Sequence, residues 1–190
     1  MVIKMNYYTL IRHGQTDWNK LTLIQGHIDN PLNETGRFQA VEASKKILNE
    51  EKYDIIISSP LKRAYETAVI IRDKLDYKLD IVIHEGLIER NFGELEGGFV
   101  CQENYQKIFD ESALGLEKLK DLQNRAVNTI KQIENEYPNK RILITTHSHF
   151  IKGLISAVSD EFDFTYNLKN SSLNNFTSEN GNIKLIEYDK

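Results

Sequence analysis

Two arginines, two histidines and a glutamate stand at equivalent points along this 190-residue chain. Arg12 and His13 follow the apolar run Tyr7–Ile11 (YYTLI), and Arg63 follows Asp54–Ser58 (DIIIS). Glu89 lies in a glycine-rich stretch after Asp80–His84 (DIVIH), and His147 directly follows Arg141–Thr146 (RILITT). Each guanidinium offers a rigid fork of N–H donors that suits a tetrahedral oxyanion. One imidazole can attack phosphorus, a carboxyl group can protonate the departing oxygen, and a second imidazole can hold phosphoryl oxygens as they gain charge. Arginine charge beside an imidazole disfavours imidazolium, so one histidine can stay neutral and nucleophilic at pH 7. By chemistry alone the carboxyl group could be Glu85, Glu89, Glu94 or Glu96.

These side chains act together only if the chain gathers them. The four apolar runs are short and rich in β-branched residues, the pattern of buried strands. Between the first two, Asn33 is placed to cap a helix with Glu34 in its first turn and Phe38, Val41, Ser44, Ile47 and Leu48 at helical spacing. Ser59-Pro60 is a helix-start signal, with Arg63 in the first turn and Ala64, Thr67, Ala68, Ile71 and Leu75 inward. Residues 99–114 read as a short helix or a lid. Leu116, Leu119, Leu122, Ala126, Ile130, Ile133 and Tyr137 mark a long amphipathic helix. Ser148 is placed to cap a helix over Phe150–Val158, and the tail alternates around Asn180-Gly181 as a hairpin does. There is no internal repeat, low-complexity tract or linker. Alternating strands and helices predict an α/β fold with a mostly parallel sheet covered on both faces. Ligands collect at the carboxyl ends of such strands, which would bring all five residues to one edge. Helix N-termini near 60 and 149 would add backbone donors for a phosphate.

The net charge of −4 argues against a nucleic-acid partner, and 40% hydrophobic against 27% charged residues argues against disorder. A small anionic ligand remains compatible, because a few local cations dominate one pocket. The single cysteine, Cys101, excludes an internal disulfide and suits a reducing compartment. The segment MVIKMNYYTLIRHG lacks an apolar leader, and no run of 18 apolar residues occurs. A cytoplasmic protein with no membrane partner is expected.

"LIRHGQTDWN", "QGHIDNPLNETG", "SSPLKRAYETA", "LIERNFGELEG" and "TTHSHFIKGLI" occur in that order over residues 8 to 155. Together they resemble the signature segments of the histidine phosphatase superfamily, which includes the cofactor-dependent phosphoglycerate mutases. The resemblance implies a three-layer α/β/α sandwich, one domain over residues 1–190, and a short lid or insertion around 98–116. It implies that His13 is the nucleophile that becomes phosphohistidine and that Glu89 is the proton donor and later the base. Arg12, Arg63 and His147 would bind the phosphoryl group, with Asn19 helping. Gln25, Gly26 and Ser148 are candidate substrate contacts. No metal and no cofactor are implied, and the partner is a small phosphorylated metabolite met by a monomer or homodimer.

Three departures bear on activity. About twenty residues fill the place of the mutases' long insertion, which favours a metal-independent phosphatase of phosphomonoesters. Mutase-type phosphoryl transfer and a non-catalytic phospho-ligand-binding domain are the alternatives. Gly115-Leu116-Glu117-Lys118 replaces the family's Gly-Glu-Ser, and Ser148-His149 stands where a glycine often follows the second histidine. Other residues have plainer readings. His149 suits a helix-start or pocket-rim role, since no third ligand has the spacing of a metal site with His147. His84 is read as structural and Cys101 as lid packing. Arg90 is either a substrate cation or half of an ion pair.

Overall fold

The computed structural model describes residues 5–48 and 52–190. The four apolar runs form strands β1 (Met5–Arg12), β2 (Ile55–Ser58), β3 (Ile81–Ile83) and β4 (Arg141–Thr146). The tail supplies β5 (Leu173–Glu179) and β6 (Asn182–Glu187). Their order across the sheet is β3-β2-β4-β1-β5-β6. The first four run parallel, and β5 lies antiparallel to β1. Arg12 pairs with Thr146 and Ser58 with Thr145, so Arg12-His13, Ser59 and His147 all leave the sheet at one edge. The hairpin turns through Asn180 and Gly181 at φ 53° and 77°, the left-handed pair that a two-residue I′ loop needs.

Side chains alternate across the parallel strands and are buried on both faces. Tyr8, Leu10, Ile57, Ile142 and Ile144 pack against α5 (Leu119–Glu136) and α6 (Ser148–Val158). Ile11, Ile56 and Leu143 pack against α2 (Glu34–Ile47) and α3 (Lys62–Lys74). Each such aliphatic chain contributes about 1.5–3 kcal/mol by leaving water. The result is the expected sandwich of helices, sheet and helices. Among the described residues no helix is long and apolar enough to cross a membrane. The reading of an absent leader includes residues 1–4, which lie outside the described residues.

Several local expectations are corrected. Phe38 and Leu48 are 64% and 62% exposed. The buried face of α2 is instead Gly36, Ala40, Ala43, Ser44 and Ile47, and Phe38 sits about half a turn from Ala40 on the far side. The helix α5 starts at Leu119. Leu116 instead bridges Phe92 and joins a small cluster with Ile24, Leu95 and Ala113 that anchors the loop after Glu89. Neither serine caps its helix. Leu61 occupies the N-cap of α3, and the Asp29 carboxylate accepts the Lys62 N–H at 2.7 Å. His147 occupies the N-cap of α6 without a side-chain cap bond. Residues 102–109 form a helix, α4 (Gln102–Phe109), with no buried residue, and Cys101 before it is exposed.

The loop after β1 touches α2 backbone to backbone. A Cβ on Gly36 would lie 2.1 Å from the Gln15 carbonyl oxygen and 2.7 Å from its nitrogen. Gly36→Ala should therefore force the His13 loop and α2 apart at a cost of ~1–3 kcal/mol. Calorimetric unfolding should show a melting temperature lower by several degrees; an unchanged value would mean that α2 retreats freely.

Candidate active site

Arg12 closes β1, and His13 begins the loop. The His13 N–H donates to the Thr146 carbonyl at 2.9 Å, which fastens the loop to β4. The Gly14 N–H donates to Thr67 Oγ1 at 3.1 Å, and the Thr67 hydroxyl donates to the Arg63 carbonyl at 2.7 Å. The loop is thereby tied to the first turn of α3, where Arg63 stands.

His13 is buried, and its Nδ1 lies 2.7 Å from the Gly14 carbonyl oxygen. A carbonyl only accepts, so Nδ1 carries the ring hydrogen and Nε2 keeps its lone pair. Arg63 Nε donates to that Nε2 at 3.2 Å. The Arg63 side chain is fully buried and gives its other donors to backbone, Nη1 to Ile28 at 2.8 Å and Nη2 to Gly26 at 2.7 Å. Burial holds the Arg63 pKa down to about 10, against the nearby charges of Glu89, Asp29 and Glu96, so the guanidinium stays charged at neutral pH. Arg12 Nη1 donates to the Leu168 carbonyl, while its shielded Nε has no hydrogen-bond partner among the described residues.

His147 is fully buried behind His13, ring edge to ring face, with centroids 5.2 Å apart. Its Nε2 lies 2.7 Å from Ser59 Oγ, and Nδ1 has no partner among the described residues. Ser59 is therefore recruited to the histidine rather than to a helix cap. Burial is the largest cause that lowers the pKa values of both His13 and His147 well below 6.5, followed by the Arg63 charge. Both rings are neutral at pH 7.

Glu89 follows a single 3-10 turn, Glu85–Leu87. Its Oε1 accepts the backbone N–H groups of Arg90 (2.9 Å), His149 (3.0 Å) and Phe150 (3.2 Å). Oε2 receives only a long 3.4 Å contact from His149. The carboxylate thus does for α6 what Ser148 was expected to do. Arg125, on α5, clamps the loop by donating to the carbonyls of Gly86 (2.9 Å), Ile88 (2.8 Å) and Glu89 (3.3 Å) and by pairing with Glu117.

A cavity of about 720 Å³ opens at this edge of the sheet. Arg12, His13, Arg63 and Glu89 all line it, and so do Asn19, Gln25, Gly26 and Ser148. His147 does not, since it stands one layer deeper. Asn19 spends its Oδ1 on the N–H of Thr16 at 3.1 Å, in the capping box of the four-residue helix α1 (Asp17–Lys20). Gln25 Oε1 accepts the Thr16 hydroxyl at 2.9 Å, and the Gly26 carbonyl is held by Arg63. His84 accepts the Gly86 N–H at 3.1 Å, the structural role expected of it. His149 lines the cavity between the rings of Phe92 and Phe164. Lys152, not singled out from sequence, also lines it, and so does Arg90. Lys152 sits one turn along α6 on a stripe that reads as apolar, so only helical phase would have flagged it. Arg125 left no signal, because its partners in the Glu89 loop are backbone carbonyls. Among the described residues, no group of three or more His, Cys, Asp or Glu side chains is placed to hold a metal ion.

Comparison with known proteins gives this geometry a family context. Residues 8–190 match the model of the histidine phosphatase superfamily (branch 1). The chain is 37% identical over 155 residues to an uncharacterized phosphatase, PhoE, of Bacillus subtilis, covering 82% of this chain and 78% of that one. It is 32% identical to phosphoglycerate mutase-like protein 4 of Arabidopsis thaliana, covering 94% and 82%. Its fold is similar to that of a histidine-to-alanine variant of phosphoserine phosphatase from Entamoeba histolytica in complex with phosphoserine, with a TM-score of 0.81, 28% identity and 97% of each chain covered.

The neutral imidazoles of the site, His13 and His147 buried and His149 partly so, set a pH dependence of stability. His13, His147 and His149 all have folded pKa values well below 6.5. The unfolded chain binds these protons first as pH falls, so stability is fully present above pH 6.5 and is lost below it. Each group contributes a slope of up to about 1.4 kcal/mol per pH unit between its unfolded and folded values. Urea unfolding should show a midpoint that drops steeply from pH 6.5 to 5, and less steeply in His149→Phe. A flat midpoint over that range would show that the rings are protonated in the folded state.

Proposed function

This chain belongs to the histidine phosphatase superfamily, and from that premise we propose that it hydrolyses phosphomonoesters through a phosphohistidine on His13, without a metal. The observation that carries the reading is the hydrogen-free Nε2 of His13, whose lone pair Arg63 Nε holds at 3.2 Å and would release on turning to the phosphoryl group. The Gly14 carbonyl fixes the ring hydrogen on the opposite nitrogen, and Arg12, Arg63 and Glu89 line the same cavity. The phosphoryl group would lie between Arg12 and Arg63, where the unpartnered Arg12 Nε supplies one donor. Ser59 Oγ accepts the Leu61 N–H at 3.4 Å, so its own hydrogen is free to go to His147 Nε2. That leaves an Nδ1–H on His147 as a buried donor for the phosphoryl oxygens, reached past the edge of His13.

His13 Nε2 attacks phosphorus in line, the P–O ester bond breaks, and Glu89 gives its proton to the leaving alkoxide. Oε2 is the oxygen free to carry that proton, since Oε1 is held by three N–H groups. Water then attacks the phosphohistidine, Glu89 takes its proton, the P–N bond breaks and phosphate leaves. The two guanidiniums balance the charge that develops, which is the work a metal would otherwise do.

We read the matched region as one domain, with α4 as a short lid that turns Tyr105, Ile108 and Phe109 toward the cavity. Phe109 is 76% exposed. A lid this small and open gives water access to the phosphohistidine, which supports hydrolysis over mutase-type transfer. The presence of Arg12, His13, Arg63 and Glu89 around one cavity, with His147 in ring contact with His13, supports an enzyme over a binding domain.

Phosphate release from p-nitrophenyl phosphate and 3-phosphoglycerate, measured in EDTA, tests the mechanism. Release should survive chelation, vanish in His13→Ala and fall ~10²–10⁴-fold in Glu89→Gln for the poorer leaving group, 3-phosphoglycerate. Turnover retained by His13→Ala would sink the covalent route, and isomerisation without net release would establish the mutase reading instead.

A further inference from the structure

Phosphate chemistry at the cavity floor accounts for Arg12, Arg63 and Glu89 but leaves three polar groups without a task. Lys152 is only 4% exposed, yet it lines the cavity. Its ammonium lies 4.6 Å from the centroid of the Phe164 ring. Among the described residues it makes no ion pair or hydrogen bond. Its electrostatic neighbours are Glu89, Arg12, Asp163 and Arg90. Glu89 gives Oε1 to the N-terminus of α6 and makes no bond to the ammonium, and Asp163 accepts the Thr165 N–H at 2.8 Å and its hydroxyl at 2.7 Å.

Arg90 is 2% exposed and lines the same cavity. Its Nε donates to the Glu117 carbonyl at 2.8 Å, while its shielded Nη2 has no hydrogen bond among the described residues and lies 3.5 Å from the Glu111 carboxylate. The third group is His149, whose Nδ1 is shielded and has no partner among the described residues. Phe92, Phe164 and His149 wall this end with ring faces and edges. A buried ammonium gains something from an aromatic face, but a ring does not replace a counter-anion. Two sequestered cations in an aromatic-walled end of the cavity, with no carboxylate hydrogen-bonded to the ammonium, are complementary to an anion brought by the ligand.

We propose that Lys152, with Arg90 beside it, forms a second anion subsite that reads a carboxylate or a second phosphate on the organic part of the phosphomonoester. The identity of the ligand as a phosphomonoester rests on the phosphatase reading; the subsite itself rests on this geometry. The substrate is then an ester that carries its own acid a few bonds from phosphorus. A neutral sugar or alcohol phosphate would leave Lys152 unpaired.

Binding separates the two questions. Titration calorimetry with His13→Ala protein compares 3-phosphoglycerate with glycerol 3-phosphate, which differ by a carboxylate in place of a hydroxymethyl group. It also compares fructose 1,6-bisphosphate with fructose 6-phosphate, which differ by a second phosphate. The parent should prefer the acidic member of one pair about tenfold or more, as befits one charge-assisted contact. The pair that shows the preference identifies the anion. The preference should collapse toward unity in His13→Ala/Lys152→Met and return in His13→Ala/Lys152→Arg. Equal binding within both pairs, a preference that survives Lys152→Met, or no binding of any ester would overturn the subsite. Phosphate release by the unmutated protein is scored apart. Selective binding without turnover would remove the phosphatase reading and keep the subsite, and turnover without selectivity would do the reverse.

Discussion

A carbonyl oxygen has no hydrogen to give, so the 2.7 Å contact between Gly14 and His13 Nδ1 decides which ring nitrogen carries the hydrogen and which keeps its lone pair. That bond forms only if Gly14 turns its carbonyl back toward the ring, and the loop is held so by three ties. The His13 N–H reaches β4, the Gly14 N–H reaches Thr67, and the Asn170 amide reaches the His13 carbonyl at 3.0 Å. The close approach of Gly14 to Gly36 follows from the same placement, since no side chain fits between the loop and α2. Sheet register, two glycines and a threonine on α3 thus converge on the tautomer of one ring.

Arg63 is the second element of that constraint. A fully buried guanidinium is costly unless its donors are satisfied. Here they go to the carbonyls of Gly26 and Ile28 and to His13 Nε2, with no carboxylate among the described residues in direct contact. The protein therefore keeps the positive charge while holding the loop that forms one cavity wall. The same charge, added to burial, keeps both imidazoles neutral. A carboxylate paired with Arg63 would cancel that field and compete with an incoming phosphate. Carbonyl partners orient the group and leave its charge available.

The strands, their parallel order and the edge at which Arg12, His13, Arg63, Glu89 and His147 meet were legible in the sequence. Burial on both faces makes parallel strands read as continuous apolar runs, and the residue after each run must lie at its carboxyl end. The choice of Glu89 over Glu85, Glu94 and Glu96 was not legible from chemistry. It came from the resemblance of the motif, and the structure puts the Glu89 carboxyl group at the cavity wall. The depth of His147 was invisible because sequence order does not say which of two neighbouring strand ends lies in front. Lys152 was missed because its neighbours on α6, Ile151 and Leu154 among them, read as core. Phe38 is bulky and apolar yet faces outward, because the inner face of α2 is built from small residues that permit close approach.

The helix-cap corrections share one cause. A serine beside a strand end is a good local cap, but here two helix N-termini open onto a site that needs those positions for something else. Ser59 turns to His147, and an aspartate from a distant loop serves α3. Glu89 serves α6 from across the cavity, with one oxygen immobilised by three backbone N–H groups and the other left with a single long contact. A carboxyl group held by one oxygen is positioned without being spent, which suits the proton-donor role proposed for Glu89. Arg125 carries that logic outward, since it fixes the carbonyls on either side of Glu89 rather than the carboxylate itself. The position of the Glu89 carboxyl group is thus set by backbone contacts from α5 and α6 together. These are the two helices that bury the largest apolar face of the sheet, so the placement of Glu89 inherits the rigidity of the core.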